Sequence, residues 1–228
     1  MVSNFLGDVG TPQQVSSIIS TSELITREGI EPQKGMNFRD AGTQLSVFLV
    51  LPRATGFRDV WNEESGVYEY EGHDSTTVER GKSVDQLAMY ESGSLTENGK
   101  FFKAAHAFKG GLRTEPLQVQ IYEKLDPGVW YDKGIFNCID AKHIREDGRK
   151  VFKFYFTLAD AEFYSPGDPD VAERMISATV KSDAWTRGKG RCVLCEIQTG
   201  LHFVEVGGSG IELRCDTHSG RAKKGLLG

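Results

Sequence analysis

No stretch of the 228 residues is apolar for long enough to span a bilayer. The opening "MVSNFLGDVGTPQQ" lacks the basic start and apolar centre of a secretory signal. These absences predict a cytoplasmic protein with no membrane contact. Internal repeats and low-complexity tracts are missing, which argues against solenoids and flexible arrays. Cysteine is scarce. There are four, and Cys138 stands alone and reads as a core residue, so a disulfide scaffold is not expected. Histidine is also scarce, with five. His73, His106 and His143 are scattered, with no nucleophile or carboxylate constellation around them. Excess positive charge is absent too: the formal net charge is -5, against indiscriminate nucleic-acid binding.

What is present suits one domain, or one domain with a small appendage. Apolar residues make up 39% of the chain, enough for a sizeable core. The charge is uneven. From Arg187 onward there are seven Lys/Arg and four Asp/Glu, against 20 and 28 before it. Any DNA contact is therefore expected from local patches.

The first forty residues are polar, with a short helix predicted around "STSELITREGI", capped by Ser20 or Thr21 with Glu23 in the first turn. "QLSVFLVLPR" reads as a buried strand and "GVYEYEGHD" as a half-buried one. "SLTENGKFFKAAHAFKGG" reads as a turn, a short helix or strand, then a Gly-Gly loop. "EPLQVQIYEKL", "GVWYDKGIFNCIDAKHI" and "RKVFKFYFTLAD" alternate as strands, the last two joined by the turn "REDGRK". "FYSPGDPD" punctuates the chain as a linker. Helical spacing follows at Val171, Met175, Ile176 and Ala178.

Three stretches stand out together: "GFRDVWNEESGVYEYEG" (56–72), "LTENGK" (95–100) and "WYDKGIF" (130–136). In this order they resemble the SRA (SET- and RING-associated, or YDG) domain over roughly residues 15–160. Tyr131, Asp132 and Gly134 resemble the naming triplet, with Lys133 inserted. Leu95 to Asn98 resembles the family's L-x-x-N turn, and Phe57 through Gly72 its pocket segment. The resemblance implies an SRA/PUA-like curved β-barrel with flanking helices. It also implies that duplex DNA with a modified cytosine is bound by flipping the base between two aromatic rings. By position, Phe57 and Tyr70 are the stacking pair, Asp59 accepts from the N4 amine, and Glu71 sits at an edge-reading position. Lys103, Lys109 and Arg113 flank the Gly110–Gly111 loop as DNA-binding candidates. Read as residues alone, Phe57 and Tyr70 serve equally as core aromatics, Asp59 as a turn residue and the three cations as a solvated loop.

The tail holds Cys192, Cys195, Cys215 and His218 as C-x2-C-x19-C-x2-H, two short knuckles at the spacing of a tetrahedral structural Zn2+ site. "AWTRGKGRCVLC" through "IELRCDTHSGRAKKG" resembles an HNH nuclease module of the ββα-metal type on a zinc frame. An SRA domain fused to such a module implies a bacterial, nucleoid-associated protein acting on modified DNA. The catalytic positions depart from that family. Val204 and Glu205 stand where a metal-ligand acid and the general-base histidine are expected, the loop is cut to "GGSG", and Ser219 follows His218. His202, two residues off, is the one weak catalytic candidate.

The expectation is an α+β chain: an SRA-like domain over 1–163, a linker over 164–170 and a zinc module over 171–228. It binds DNA containing 5-methyl- or 5-hydroxymethylcytosine, with a homodimer open. The alternative is an active modification-dependent endonuclease using Mg2+ or Mn2+. A third reading is an RNA or small-molecule binder on a PUA-like barrel.

Overall fold

A computed structural model describes residues 18–33, 35–40, 45–51, 60–62, 65–74, 84–159, 169–207 and 210–220. It is a mixed α+β chain built on one large sheet. The strands are β1 (Ile18–Ser20), β2 (Gly35–Asp40), β3 (Leu45–Leu51), β4 (Val60–Asn62), β5 (Val67–Glu71), β6 (Leu117–Asp126), β7 (Val129–Glu146) and β8 (Arg149–Leu158). A second sheet pairs β9 (Leu201–Val206) with β10 (Gly210–Cys215). The helices are α1 (Thr21–Glu28), α2 (Glu97–Lys109), α3 (Pro169–Met175) and α4 (Ala178–Gly188). None is long and apolar enough to cross a membrane.

Alternation in the sequence becomes the core face. Phe152, Phe154, Phe156 and Leu158, at every second position of β8, are all buried. In β3 the apolar run is continuous because both faces are covered. Val47, Leu49 and Leu51 enter the main core, while Phe48 packs with Leu24 of α1, Tyr122 and Trp130. Of the two candidate caps for α1 the structure uses Ser20, whose hydroxyl accepts the Glu23 N–H while the Glu23 carboxylate accepts the Ser20 N–H. The β7–β8 hairpin turns on Asp147 and Gly148, with φ of 48° and 83°. Both residues take the positive φ that a tight two-residue hairpin requires.

The main sheet runs β2-β3-β6-β7-β8-β5-β4, with β1 added beside β7. Long β7 changes partners along its length. Its first half lies between β6 and β1, and its second half pairs with β8. Register shifts leave Lys133 and Ile139 without a cross-strand partner, and bulges of this kind bend the strand. The closed barrel expected from the sequence is not found. Among the described residues β2 and β4 end the sheet without pairing to each other.

The helical stretch after the linker is two helices rather than one. The first ends at Met175, and Ser177 caps the second, its hydroxyl accepting the Val180 N–H. Both helices precede the β9–β10 hairpin, and among the described residues no helix follows β10, as a ββα unit would require. Most of the expected linker lies outside the described residues, and Pro169 already opens α3.

The C-terminal element shares a core with the sheet. Ala184 of α4 and Leu201, Phe203, Leu213, Cys192 and Cys215 pack with Leu125 of β6 and Tyr131 of β7. The contact is centred on the Lys133 bulge. Glu123 of β6 is fully buried between two lysines, with Lys133 Nζ at 2.6 Å and Lys181 Nζ of α4 at 2.8 Å. Lys181 also lies 3.6 Å over the Tyr131 ring. Arg174 of α3 donates from Nε to the Lys133 carbonyl at 2.7 Å and fills the space beside Gly134. A Cβ on Gly134 would come within 2.2 Å of the Arg174 guanidinium, and Gly134 has φ of 90°. Gly134→Ala should therefore lose roughly 1–3 kcal/mol of stability, read from the urea midpoint. Adding Arg174→Ala should not restore it fully, because the backbone strain stays. A full recovery would mean that the clash alone matters.

Candidate metal centre and neighbouring surfaces

Cys192, Cys195, Cys215 and His218 converge, with their ligand atoms all within 4.8 Å of one another. Among the described residues this is the one group of three or more such side chains with the geometry to hold a metal ion. Backbone turns aim the donors. The Glu196 N–H reaches the Cys192 carbonyl at 2.8 Å, and the His218 N–H reaches the Cys215 carbonyl at 2.8 Å. The two knuckles are brought together by the β9–β10 ladder, in which Leu201 faces Cys215.

The separations test the fit. Sulfur at about 2.3 Å and nitrogen at about 2.0–2.1 Å from a tetrahedral zinc lie about 3.8 Å (S···S) and about 3.5 Å (S···N) apart. Here Cys195 Sγ and Cys215 Sγ are 3.5 Å apart. His218 Nδ1 stands 3.6 Å from Cys192 Sγ and 3.4 Å from Cys215 Sγ. Burial raises the Cys192 thiol, but backbone N–H groups of Cys215, Leu194 and Cys195 outweigh it and bring it down to about 6. A sulfur surrounded by donors favours the thiolate that a metal needs.

His202 is buried beside this centre. Its Nε2 lies 2.6 Å from Asp216 Oδ1 and its Nδ1 3.4 Å from Glu173 Oε2. Glu173 is itself buried and accepts the Phe203 N–H at 3.0 Å. The imidazole thus bridges α3 to the residue that follows Cys215, a positioning role for the second knuckle. Both ring nitrogens of His202, the catalytic candidate of the sequence, face carboxylates. Glu205 is exposed, Ser219 donates to the Asp216 carbonyl, and Val206 pairs with Gly210 across a loop of only 207–209.

On the main sheet, Phe57 and Asp59 lie outside the described residues. Tyr70 is 4% exposed and belongs to the main core, so the expected stacking face is already covered. Glu71 is equally buried. It accepts from Arg149 Nη2 at 2.6 Å, with Lys153 Nζ at 3.6 Å. Tyr70 is thus held by core packing, and Glu71 by ion pairing. Lys103 and Arg113 are exposed, whereas Lys109 is held 2.6 Å from Asp140.

The chain end of the pocket segment is rigidly fixed. Asn98 of α2 accepts the His73 N–H and donates to the His73 carbonyl, both at 2.8 Å. Gln86 donates to the Gly72 carbonyl and accepts the Phe152 N–H, both at 2.7 Å. A Cβ on Gly72 would fall 2.7 Å from Asn98 Oδ1 and 2.9 Å from Gln86 Oε1, so only glycine fits. Gln86 was not singled out in the sequence, and nothing local to it signals this role.

Asp132, on the opposite side of the bulge from the buried lysines, accepts from the Gly134 N–H at 2.9 Å, from Gln120, and from Arg27 at 2.7 Å. Burial holds its carboxyl above the ordinary aspartate range, with the Gly134 N–H and Arg27 opposing. A cleft of about 560 Å³ lies alongside, with Arg27, Arg113, Gln118, Gln120 and Ile135 in its walls.

No family model and no curated protein matches this chain. Solved structures do overlap it. The SRA domain of SUVH5 in complex with methylated CHH DNA gives a TM-score of 0.40 at 19% identity, over 61% of this chain and 83% of that one. KRYPTONITE in complex with mCHH DNA, an H3(1-15) peptide and SAH gives 0.42 at 12%, over 62% and 30%. Arabidopsis thaliana SUVH6 with SAM gives 0.37 at 16%, over 80% and 28%. Overlaps this loose decide neither family nor activity.

Proposed function

We propose that the chain binds duplex DNA containing a modified cytosine, 5-methyl or 5-hydroxymethyl, and that its C-terminal element binds a structural zinc ion and does not cut. Residues 1–163 form the reading part, 164–170 the linker and 171–228 the zinc element. Phe57 stacks on the extruded base and Asp59 accepts from its N4 amine. Lys103 and Arg113 contact phosphates.

The observation that carries the reading is a convergence. "VYEYEG" forms β5, "LTENGK" starts α2 and is clamped to the end of β5 through Asn98, and "WYDKGIF" lies on β7, one strand beyond β8. Two of these stretches thus lie on one sheet, where Tyr68 meets Phe136, and the third is a helix start tied to the end of β5. The absence of cutting is supported by the engaged His202 and the tight 207–209 loop.

The test is a binding panel of duplexes differing only in cytosine modification, run with Mg2+ or Mn2+ and followed for cleavage on a gel. Modified duplex should bind tighter, and Phe57→Ala should weaken binding roughly 5- to 150-fold, since one stacked base is worth about 1–3 kcal/mol. Equal affinity across the panel would sink the reading. Cleavage of methylated plasmid that His202→Ala abolishes would replace it with a nuclease. Binding of structured RNA in preference to any duplex DNA would replace it with an RNA binder.

A further inference from the structure

We infer that the first knuckle of the metal element is a second contact for the same duplex, made by a preset basic turn and an exposed apolar tip. The inference rests on the chain being a duplex-DNA binder, but not on its reading a modified base.

The turn joins α4 to Cys192 and is held rigidly. The Lys189 N–H reaches the Thr186 carbonyl at 3.2 Å, the Gly190 N–H reaches Trp185 at 3.1 Å, and the Arg191 N–H reaches Gly188 at 3.0 Å. Gly190 sits against Trp185, where a Cβ would come 2.9 Å from the ring. Between two glycines, Lys189 has φ of 51°, a conformation that glycine adopts without penalty and lysine does not. This left-handed residue closes α4 as its C-cap and fixes the course of the chain into Cys192. Lys189 and Arg191 are both exposed, and neither has an acidic partner among the described residues.

The adjoining knuckle displays apolar side chains: Val193 is 45% exposed, Leu194 57% and Ile197 48%. Three clustered apolar residues beside a metal centre mark a contact surface. Charge selects the occupant. Residues 187–197 hold Arg187, Lys189 and Arg191 against Glu196 alone, in a chain of net charge -5. Cations beside an apolar tip suit a phosphate backbone with sugar edges between the phosphates, the arrangement of proteins that track the minor groove.

The salt dependence of duplex binding tests this. Each phosphate contact adds about 0.9 to the slope of log affinity against log salt. Lys189→Ala with Arg191→Ala should make the slope shallower by about 2, equally for modified and unmodified duplexes. Leu194→Ser should weaken both duplexes several-fold and leave the slope unchanged. Metal content and melting temperature confirm that each variant is folded. An unchanged slope in a folded double variant overturns the inference. So does a Leu194→Ser protein that binds DNA normally but sediments differently, since the tip would then dock protein. If the unmodified sequence fails to discriminate modified cytosine while the slope still falls, the base-reading proposal fails and this one stands.

Discussion

Serine at both Cys192 and Cys215 should remove most of the stability of the whole chain, not only the order of its tail. Structural zinc is bound with about 10–16 kcal/mol in small domains, comparable to the roughly 5–15 kcal/mol that holds a typical domain folded. Here the ligands are not on an isolated finger. Cys192 and Cys215 are buried in the cluster that also contains Leu125 of β6 and Tyr131 of β7. Losing the site uncovers that part of the main sheet, so the expected loss exceeds about 4 kcal/mol. Calorimetry of the purified protein with and without a chelator provides the measurement. A melting transition that a chelator leaves in place, with less than half an equivalent of zinc bound, would refute the zinc proposal.

Glu123→Ala should be the most damaging single substitution within the sheet, at about 3–5 kcal/mol. It leaves two buried ammonium groups, Lys133 and Lys181, with no carboxylate between them. Burial pushes the Glu123 carboxyl up, but the two lysines outweigh it and hold it below the ordinary range. One carboxylate does not fully compensate two cations. Burial accordingly pushes Lys181 down to about 7, against the pull of Glu123. The unfolded chain keeps that proton up to the usual lysine range, while the folded chain releases it above about pH 7. Folding therefore gains from this group as pH rises from about 7 toward 10, by at most about 1.4 kcal/mol per pH unit. Lys181→Met should flatten this part of the profile relative to the parent. Urea midpoints of both proteins from pH 6.5 to 9 read the difference, and parallel profiles would show that Lys181 stays charged. Replacing Glu123, Lys133 and Lys181 together by apolar residues of similar size should restore much of the lost stability.

The strands, the α1 cap and the Cys3His cluster were legible in the sequence because each depends on short-range spacing. Alternation exposes a strand, Ser20 with Glu23 marks a helix start, and two knuckles declare four ligands. Other features depend on partners far along the chain. Nothing near Lys133 says that it will lie 2.6 Å from Glu123 or that Arg174 will fill the notch at Gly134. In the sequence Lys133 only interrupts a Tyr-Asp-Gly triplet; in the fold it is the bulge on which the C-terminal element docks. Tyr70 is ambiguous in the sequence for a related reason, since an aromatic ring that stacks on a base and one that fills a core have the same composition and the same strand position. Its burial is decided by α2 and β8, not by its neighbours in sequence.

The amino-acid order by itself determined that this is an α+β chain with a Cys3His cluster that could hold a metal. It did so because hydrophobic period, capping and ligand spacing act over a few residues. Only the tertiary structure decided that the sheet stays open among the described residues, that His202 lies between Glu173 and Asp216, and that the C-terminal element shares a core with the main sheet. Those outcomes depend on which buried charges and rings meet across the chain, and burial sets the strength of such meetings only after the fold has formed.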